Sequence, residues 1–379
     1  MIPYGRQSIS EADIEAVVRV LRSDFLTQGP AVPAFEKSIA SYCGAVRGVA
    51  ANSATSALHL ACLALDVGPG DRVWTSPITF VATANCARYC GADVDFVDID
   101  QGTVNMSTEC LEKKLTDAER AGTLPKVVIP VHFAGEPCDM AAIHALGRRY
   151  GFRIIEDASH AIGARYGNDP VGSCKYSDIT VFSFHPVKII TTAEGGIAMT
   201  NDAALAARME RLRSHGITRE PRDMVASSPG PWYYEQLDLG YNYRMTDLQA
   251  ALGLSQMDRL EEFVRSRQRI AARYDALLAA LPVGLSHRNP GNRSALHLYV
   301  VRVAERDRVF GALRSAGIGV NVHYIPVNRQ PWHRGRSVSP ATTPAADAYY
   351  ETAISLPIYS SLSDADQDAV VGALRLAVS

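Results

Sequence analysis

Between Gly48 and Thr200, short apolar segments alternate with stretches of helical periodicity, and this alternation restricts the possible folds more than any other feature of the chain. Strand candidates fall at Gly48 to Ala51, Asp71 to Trp74, Val94 to Val97, Val127 to His132, Arg153 to Asp157, Ile179 to Phe184 and Gly196 to Thr200. Helical runs such as Leu58 to Leu65 and Met140 to Tyr150 lie between them. Strand, helix and strand at crossover length imply an α/β fold, a mainly parallel sheet with helices on its faces. In such sheets ligand groups gather beyond the carboxyl ends of the strands.

Outside this region the pattern changes. Ser10 to Leu21 carries Ile14, Val17, Val18 and Leu21 at helical spacing, with Ser8 or Ser10 as cap. The turn Leu26-Thr-Gln28-Gly29-Pro30 precedes a second helix from about Val32 to Cys43. After a helix ending near Ser214, Thr218 to Pro231 is rich in Pro, Ser and Gly and is expected to be a mobile surface loop. Thr246 then caps a long helix whose apolar positions run through Leu248, Leu252, Leu260 and Val264. This helix marks the expected division into a large domain, residues 1–247, and a small domain, 248–379. The small domain reads as α+β: strand Leu298 to Val303, helix Arg308 to Ala316, strand Val320 to Tyr324, and a last helix after Ser363.

With 379 residues, 47% of them hydrophobic, the chain can fill a substantial core. Its formal net charge of −2, without a basic stripe, argues against nucleic acid and anionic membrane as partners. No signal pattern opens the sequence and no apolar run reaches transmembrane length, so a cytoplasmic location is expected. The seven cysteines include no C-x-x-C pair, which speaks against a disulfide framework and against a metal cluster. Most of them are expected to be small buried apolar residues.

Several stretches carry chemistry. Asn52-Ser-Ala54-Thr55-Ser56-Ala57 turns from a strand into a helix through small hydroxyl residues, which suits a phosphate at a helix N-terminus and equally suits a simple cap. Phe80 stands at another strand-to-helix turn, where an aromatic serves either the core or a flat ligand ring. Asp157 ends an apolar strand, and a carboxylate there calls for a cationic partner. Ser183 stands near the end of the next strand, Ile179 to Phe184, which is followed by His-Pro-Val-Lys188 and, after a short stretch, Glu194-Gly-Gly. A lysine taken alone is a solvated surface charge. Together, however, a phosphate cradle, an aromatic, an acid, a hydroxyl and an amine match the needs of pyridoxal 5'-phosphate. The acid would hold the ring nitrogen protonated and the amine would form the covalent link.

Eight pieces in order give this reading its specificity: Leu26-Thr-Gln-Gly29, Asn52 to Leu58, Pro130-Val-His-Phe-Ala-Gly135, Glu156-Asp-Ala-Ser-His160, Ser183 to Gly196, Gly240-Tyr-Asn-Tyr-Arg-Met245, His323-Tyr324 and Leu356-Pro-Ile-Tyr359. In these the chain resembles, nearly from end to end, the nucleotide-sugar aminotransferases of the DegT type, fold type I pyridoxal phosphate enzymes. The resemblance implies that Lys188 is the Schiff-base lysine and proton shuttle and Asp157 the pyridinium partner. It further implies that Phe80 stacks on the ring, that Ala54, Thr55 and Ser183 hold the phosphate, and that His160 meets the phenolic side. Asn242 would reach the cofactor phosphate of a neighbouring subunit, implying a homodimer with shared active sites. Gln28, Arg244 and His323 are the implied substrate contacts. L-Glutamate would donate the amino group, with pyridoxamine phosphate between the two half-reactions.

Within the family, Phe184-His-Pro-Val-Lys188, the following Ile-Thr-Thr-Ala-Glu-Gly-Gly and the Ala54 cradle resemble the pseudaminic acid subgroup. Its members aminate C4 of UDP-2-acetamido-2,6-dideoxy-β-L-arabino-hex-4-ulose to the 4-amino-4,6-dideoxy-N-acetyl-β-L-altrosamine derivative. Asn328 departs from that pattern, which has His after His323-Tyr-Ile-Pro-Val327. Other UDP- or dTDP-linked keto sugars stay open as substrates. A non-catalytic sugar-nucleotide-binding protein would be expected to have lost Lys188 or Asp157, and a sugar dehydratase of this family carries His in place of the lysine.

Overall fold

The computed structural model describes residues 1–336 and 342–379. Seven strands form the central sheet: β1 (Arg47–Ala51), β2 (Arg72–Thr75), β3 (Asp93–Phe96), β4 (Val127–Ile129), β5 (Arg153–Asp157), β6 (Ile179–Ser183) and β7 (Gly196–Thr200). Their order is β1-β7-β6-β5-β4-β2-β3. The neighbours from β6 to β3 are all parallel, whereas β7 runs antiparallel to both β6 and β1. The expected mainly parallel sheet is present. The reversal at β7 follows from the loop after β6, residues 184–195, which returns the chain without a crossover helix.

Helices α1 (Glu11–Leu21), α2 (Ala31–Cys43), α3 (Ala54–Ala64), α4 (Ala82–Tyr89), α5 (Thr108–Ala121), α6 (Met140–Tyr150) and α7 (Ala203–Arg213) flank this sheet or pack beside it. Ser10 caps α1 in a reciprocal box with Asp13. Helix α3 is apolar on nearly every side and is buried from Ser56 through Cys62, against the sheet, α4 and α7. A helix buried all round must sit between layers, and this one brings its N-terminus to the carboxyl ends of the strands.

The long helix expected after Thr246 is instead two helices, α8 (Asp247–Met257) and α9 (Leu260–Leu278). The break comes at Asp258 and Arg259, where the Arg259 Nη2 donates to Asp13 Oδ2 at 2.5 Å and to the Ser8 carbonyl at 3.3 Å. Ser255 and Gln256 also donate to the buried Asp13 carboxylate, both at 2.7 Å. A tertiary charge thus breaks a continuous apolar pattern. Helix α8 packs on α1 and α2, and α9 crosses to the C-terminal core at Ile270, Tyr274 and Leu278.

That core lies on a small antiparallel sheet of β8 (Gly284–Leu285), β9 (Tyr299–Arg302) and β10 (Ala353–Leu356). It is covered by α10 (Arg306–Ser315) and α12 (Asp364–Val378), and α11 (Pro344–Thr352) leads into β10. The strand expected at Val320 to Tyr324 does not form. Only Asn321 bridges to Ser355, because His323 and Tyr324 turn inward: His323 Nδ1 lies 2.8 Å from Ser355 Oγ, and Tyr349 Oη donates to the His323 carbonyl at 2.9 Å. Thr218 to Pro231 is largely exposed, with Ile217–Thr218 pairing with Glu235–Gln236. Five of the seven cysteines are buried and all are free. Among the described residues, no helix is long and apolar enough to cross a membrane.

Alternation along β5 sends consecutive acids to opposite faces of the sheet. Glu156, buried, accepts from His132 Nε2 at 2.7 Å, Ser177 Oγ at 2.5 Å and Thr180 Oγ1 at 2.9 Å. The Cys138 amide donates to His132 Nδ1 at 3.0 Å, so the imidazole proton sits on Nε2. Burial alone would raise the Glu156 pKa, but these donors outweigh it and hold the carboxyl below its ordinary value of 4.5. Its stabilising contribution is therefore present above that value and is lost as pH falls through the depressed folded value. Glu156→Gln is expected to cost about 2 kcal/mol, the range for hydrogen bonds to a charged group, and to flatten the acid limb of a melting-temperature profile. An unchanged profile would show that the network does not stabilise the fold.

Candidate active site

Three backbone positions set the geometry. Gly196 pairs with Ala51 on one side and Ser183 on the other, so the ends of β1 and β6 and the start of β7 lie on one rung of the sheet. Asp157 ends β5 beside them. The chain leaves β1 through Asn52 and enters α3 directly over that rung: a Cβ on Gly196 would lie 2.4 Å from the Ala54 amide nitrogen. Only glycine permits this approach. Gly196→Ala is expected to displace the helix start, weaken phosphate binding at least tenfold and cost about 1–3 kcal/mol, as overpacking does. Phosphate titration of the apoprotein and thermal melting check this.

At the start of α3, Ser53 caps by accepting from the Ser56 amide at 3.1 Å, and Ser56 Oγ donates to Asn52 Oδ1 at 2.6 Å. The amides of Ala54 and Thr55, with no intrahelical acceptor at this position, remain for an anion at the positive end of the helix. This cradle forms one wall of a cavity of about 830 Å³, which Phe80, Asp157, His160, Ser183 and Lys188 also line.

Asp157 is held from two sides. Thr83 Oγ1 donates to its Oδ2 at 2.6 Å, and the Ser159 amide to its Oδ1 at 3.1 Å. Thr79 Oγ1 lies 2.7 Å from Thr83 Oγ1 and completes the support from the start of α4. The Lys188 amine lies in the same cavity. Burial lowers its pKa to about 8, against the opposing pull of the Asp157 charge. At pH 7 about a tenth of this amine is consequently neutral and nucleophilic, far more than for an ordinary lysine.

The opposite wall comes from both ends of the chain. His160 Nε2 lies 3.1 Å from the Tyr324 hydroxyl, and the two rings stack at 6.1 Å. His323, at 6% exposure, is driven by burial, with the Lys188 charge adding to it, to a pKa of about 3 and stays neutral. Tyr4 and His297 line the cavity as well. Neither gave a signal in the sequence: Tyr4 precedes the first helix, and His297 sits at the edge of an apolar strand. Tyr4 is brought in because Ile2 bridges to Ile318 and the Tyr4 carbonyl accepts from the Ile358 amide at 3.1 Å.

Of the residues expected from sequence, Ala54, Thr55, Phe80, Asp157, His160, Ser183, Lys188 and His323 line this cavity. Gln28, Asn242 and Arg244 do not. Gln28 is exposed in a turn with φ +57°, and Asn242 is exposed on a segment that touches the outside of the cradle. There the Asn52 amide donates to the Tyr243 carbonyl at 2.8 Å and the Asn52 side chain to the Asn242 carbonyl at 3.4 Å. Asn328 lies away from the cavity and donates to Thr343 Oγ1 at 3.0 Å.

The donor set fits pyridoxal phosphate: free amides for a phosphate, a carboxylate for a ring nitrogen, an amine for an aldehyde, and a buried His160 Nδ1 without a partner. Comparison with known proteins agrees. The sequence profile of the DegT/DnrJ/EryC1/StrS aminotransferase family matches residues 7–375. The spore coat polysaccharide biosynthesis protein SpsC of Bacillus subtilis is 40% identical over 99% of this chain and 96% of its own. PseC of Helicobacter pylori, an aminotransferase involved in the biosynthesis of pseudoaminic acid, superposes with a TM-score of 0.91 at 29% identity, covering 100% of this chain and 99% of its own. The PLP-form of the putative sugar aminotransferase Spr1654 from Streptococcus pneumoniae superposes at 0.89 with 32% identity, over 100% of this chain and 98% of its own, and a PMP-form is also known. The chain therefore belongs to the DegT/DnrJ/EryC1/StrS aminotransferase family and is a pyridoxal phosphate-dependent sugar aminotransferase of fold type I.

Proposed function

We propose that this enzyme transfers the amino group of L-glutamate to C4 of UDP-2-acetamido-2,6-dideoxy-β-L-arabino-hex-4-ulose, giving the 4-amino sugar of pseudaminic acid synthesis. The observation that carries the chemistry is the Lys188 amine, lowered to a pKa of about 8, in one cavity with the Asp157 carboxylate. When bound, pyridoxal phosphate supplies an electron sink for the carbanion that forms beside the amino group. Asp157 would keep its ring nitrogen protonated, and Thr83 keeps Asp157 aimed. Lys188 Nζ takes the Cα proton of glutamate in the first half-reaction and delivers a proton to sugar C4 in the second. His323 and Tyr324 wall the cavity in which that exchange takes place.

Support for the sugar comes from the Phe184 to Gly196 run, the Ala54 cradle and the end-to-end likeness to PseC. The higher identity to SpsC favours a second reading, another UDP- or dTDP-linked keto sugar destined for a polysaccharide. Incubation with glutamate and a panel of UDP- and dTDP-linked 4-keto sugars, with products identified by mass and NMR, decides between them. Amination of dTDP sugars alone would overturn the first reading and leave the aminotransferase chemistry standing.

The same proposal makes the enzyme a homodimer in which Asn242 completes the partner's phosphate site, with Gln28 and Arg244 serving the substrate. The exposure of Asn242 beside, rather than inside, its own cradle supports this. Mixing Lys188→Ala with Asn242→Asp protein is then expected to restore activity that neither variant shows alone. Mixtures that exchange subunits and stay inactive would refute shared sites.

A further inference from the structure

Gln28, Asn242 and Arg244 belong to one body of structure, and Asp247 ties it together. The Asp247 carboxylate is buried at the N-terminus of α8, where Oδ1 accepts from the Gly29 amide and Oδ2 from the Ala31 amide, both at 2.9 Å. Ala31 opens α2, whose cap position, Pro30, offers no side-chain acceptor. One carboxylate thus sits at the positive ends of two helices, a setting that stabilises a buried negative charge. Two further contacts close the clamp: the Asp247 amide donates to the Leu26 carbonyl at 3.0 Å, and Thr27 bridges to Thr246.

The turn held in this way is constrained. Gln28 takes φ +57°, uncommon for a residue with a side chain, and is left exposed. At Gly29 a Cβ would lie 2.5 Å from Phe25 Cβ and 2.7 Å from Asp247 Oδ2. Such a conformation persists only where its surroundings over-determine it, and here the clamp does so. On the other side of Asp247 the chain runs back through Met245, which is buried against Gly195, to Arg244 and Asn242. The Asn52 amide, donating to the Tyr243 carbonyl at 2.8 Å, fixes that segment to the outside of the cradle. The Gln28 turn and the Asn242 segment therefore form one unit rooted in α2 and α8, and none of its three polar side chains lines the chain's own cavity.

We propose that Asp247 is a positioning residue that locks the Gln28 turn to the Asn242 segment, so that a second copy of this chain receives both at its cavity in fixed register. The inference rests on the shared-site reading above and not on which sugar is aminated. Two heterodimers, isolated with a different tag on each chain, test it. One carries Lys188→Ala and Asp247→Asn on opposite chains; the other carries both on one chain, beside a wild-type chain. Asparagine cannot accept from both amides, so the turn loosens. Both dimers contain the same two substitutions, and a mere loss of stability affects them alike. If Asp247 acts on the partner's cavity, the opposite-chain dimer keeps one site with Lys188 and an intact clamp, and the same-chain dimer keeps none. Conversion of the bound cofactor by L-glutamate, followed by absorbance, should then be about 10- to 100-fold faster in the opposite-chain dimer, as for a group misplaced by about 1 Å. Gly29→Ala, whose Cβ would press on Asp247 Oδ2, should show the same preference and provides the reading if the Asp247→Asn chain fails to fold. Equal rates, or a faster same-chain dimer, would overturn the proposal. Asn242→Asp in the same two arrangements separates it from the reading it rests on. If Asn242 favours opposite chains and Asp247 does not, the clamp alone fails; if Asn242 shows no preference, shared sites fail with it.

Discussion

Lys188→Ala should reduce both half-reactions to background. In the proposed mechanism the amine serves as the covalent anchor and as the base in each half, and loss of a positioned general base alone costs about 10²- to 10⁴-fold. Loss of the covalent anchor adds to this, so the expected fall is about 10⁴-fold or more. The variant should also lack the visible band of lysine-bound cofactor, while its fold remains intact, because removing a buried amine relieves a desolvated charge. The wild-type apoprotein offers a companion measurement. Since burial brings the Lys188 pKa down to about 8, the neutral fraction grows as pH rises through that value. Reconstitution with pyridoxal phosphate should accelerate over the same interval and level off above it. A Lys188→Ala protein that still turned over glutamate would remove the basis for the mechanism.

Asp157→Asn should be the next most damaging change, lowering kcat about 10²- to 10³-fold, the range seen when a preorganised electrostatic group is removed from an active site. Asparagine keeps the shape, and its amide can still engage Thr83 and the Ser159 amide, so stability should change little. What disappears is the negative charge that, in the proposed mechanism, would keep a ring nitrogen protonated. The defect should therefore appear in the rates of both half-reactions and only mildly in the KM for glutamate. Thr83→Val, which removes the 2.6 Å support but leaves the charge, should be milder, at about tenfold. Equal rates for wild type and Asp157→Asn, measured in single turnovers, would contradict the assignment.

Residues that act through local backbone form were legible in the sequence. The cradle Ser53 to Ser56, Asp157 at a strand end and Lys188 before Glu194-Gly-Gly each announce themselves by a strand meeting a turn, and all converge in the structure. The strands of the central sheet were readable too, since a buried strand between crossover helices leaves a compact apolar run. By contrast, nothing in the order of residues shows that Thr83 would brace Asp157 from 74 positions away, or that Glu156 would turn from the site toward His132. The long helix read through Leu260 failed for the same reason: Arg259 leaves helical geometry to meet Asp13, a charge near the other end of the chain.

By itself the sequence determined the fold class, the cofactor and most of the candidate residues that line its cavity, because periodicity and turn chemistry act over a few residues and are written locally. Only the tertiary structure decided what surrounds them: Tyr4 and His297 in the cavity wall, Tyr324 on His160, and Asn242 outside its own site. These placements depend on how two cores and both ends of the chain pack together. Contacts between residues tens to hundreds of positions apart leave no periodic trace in either partner.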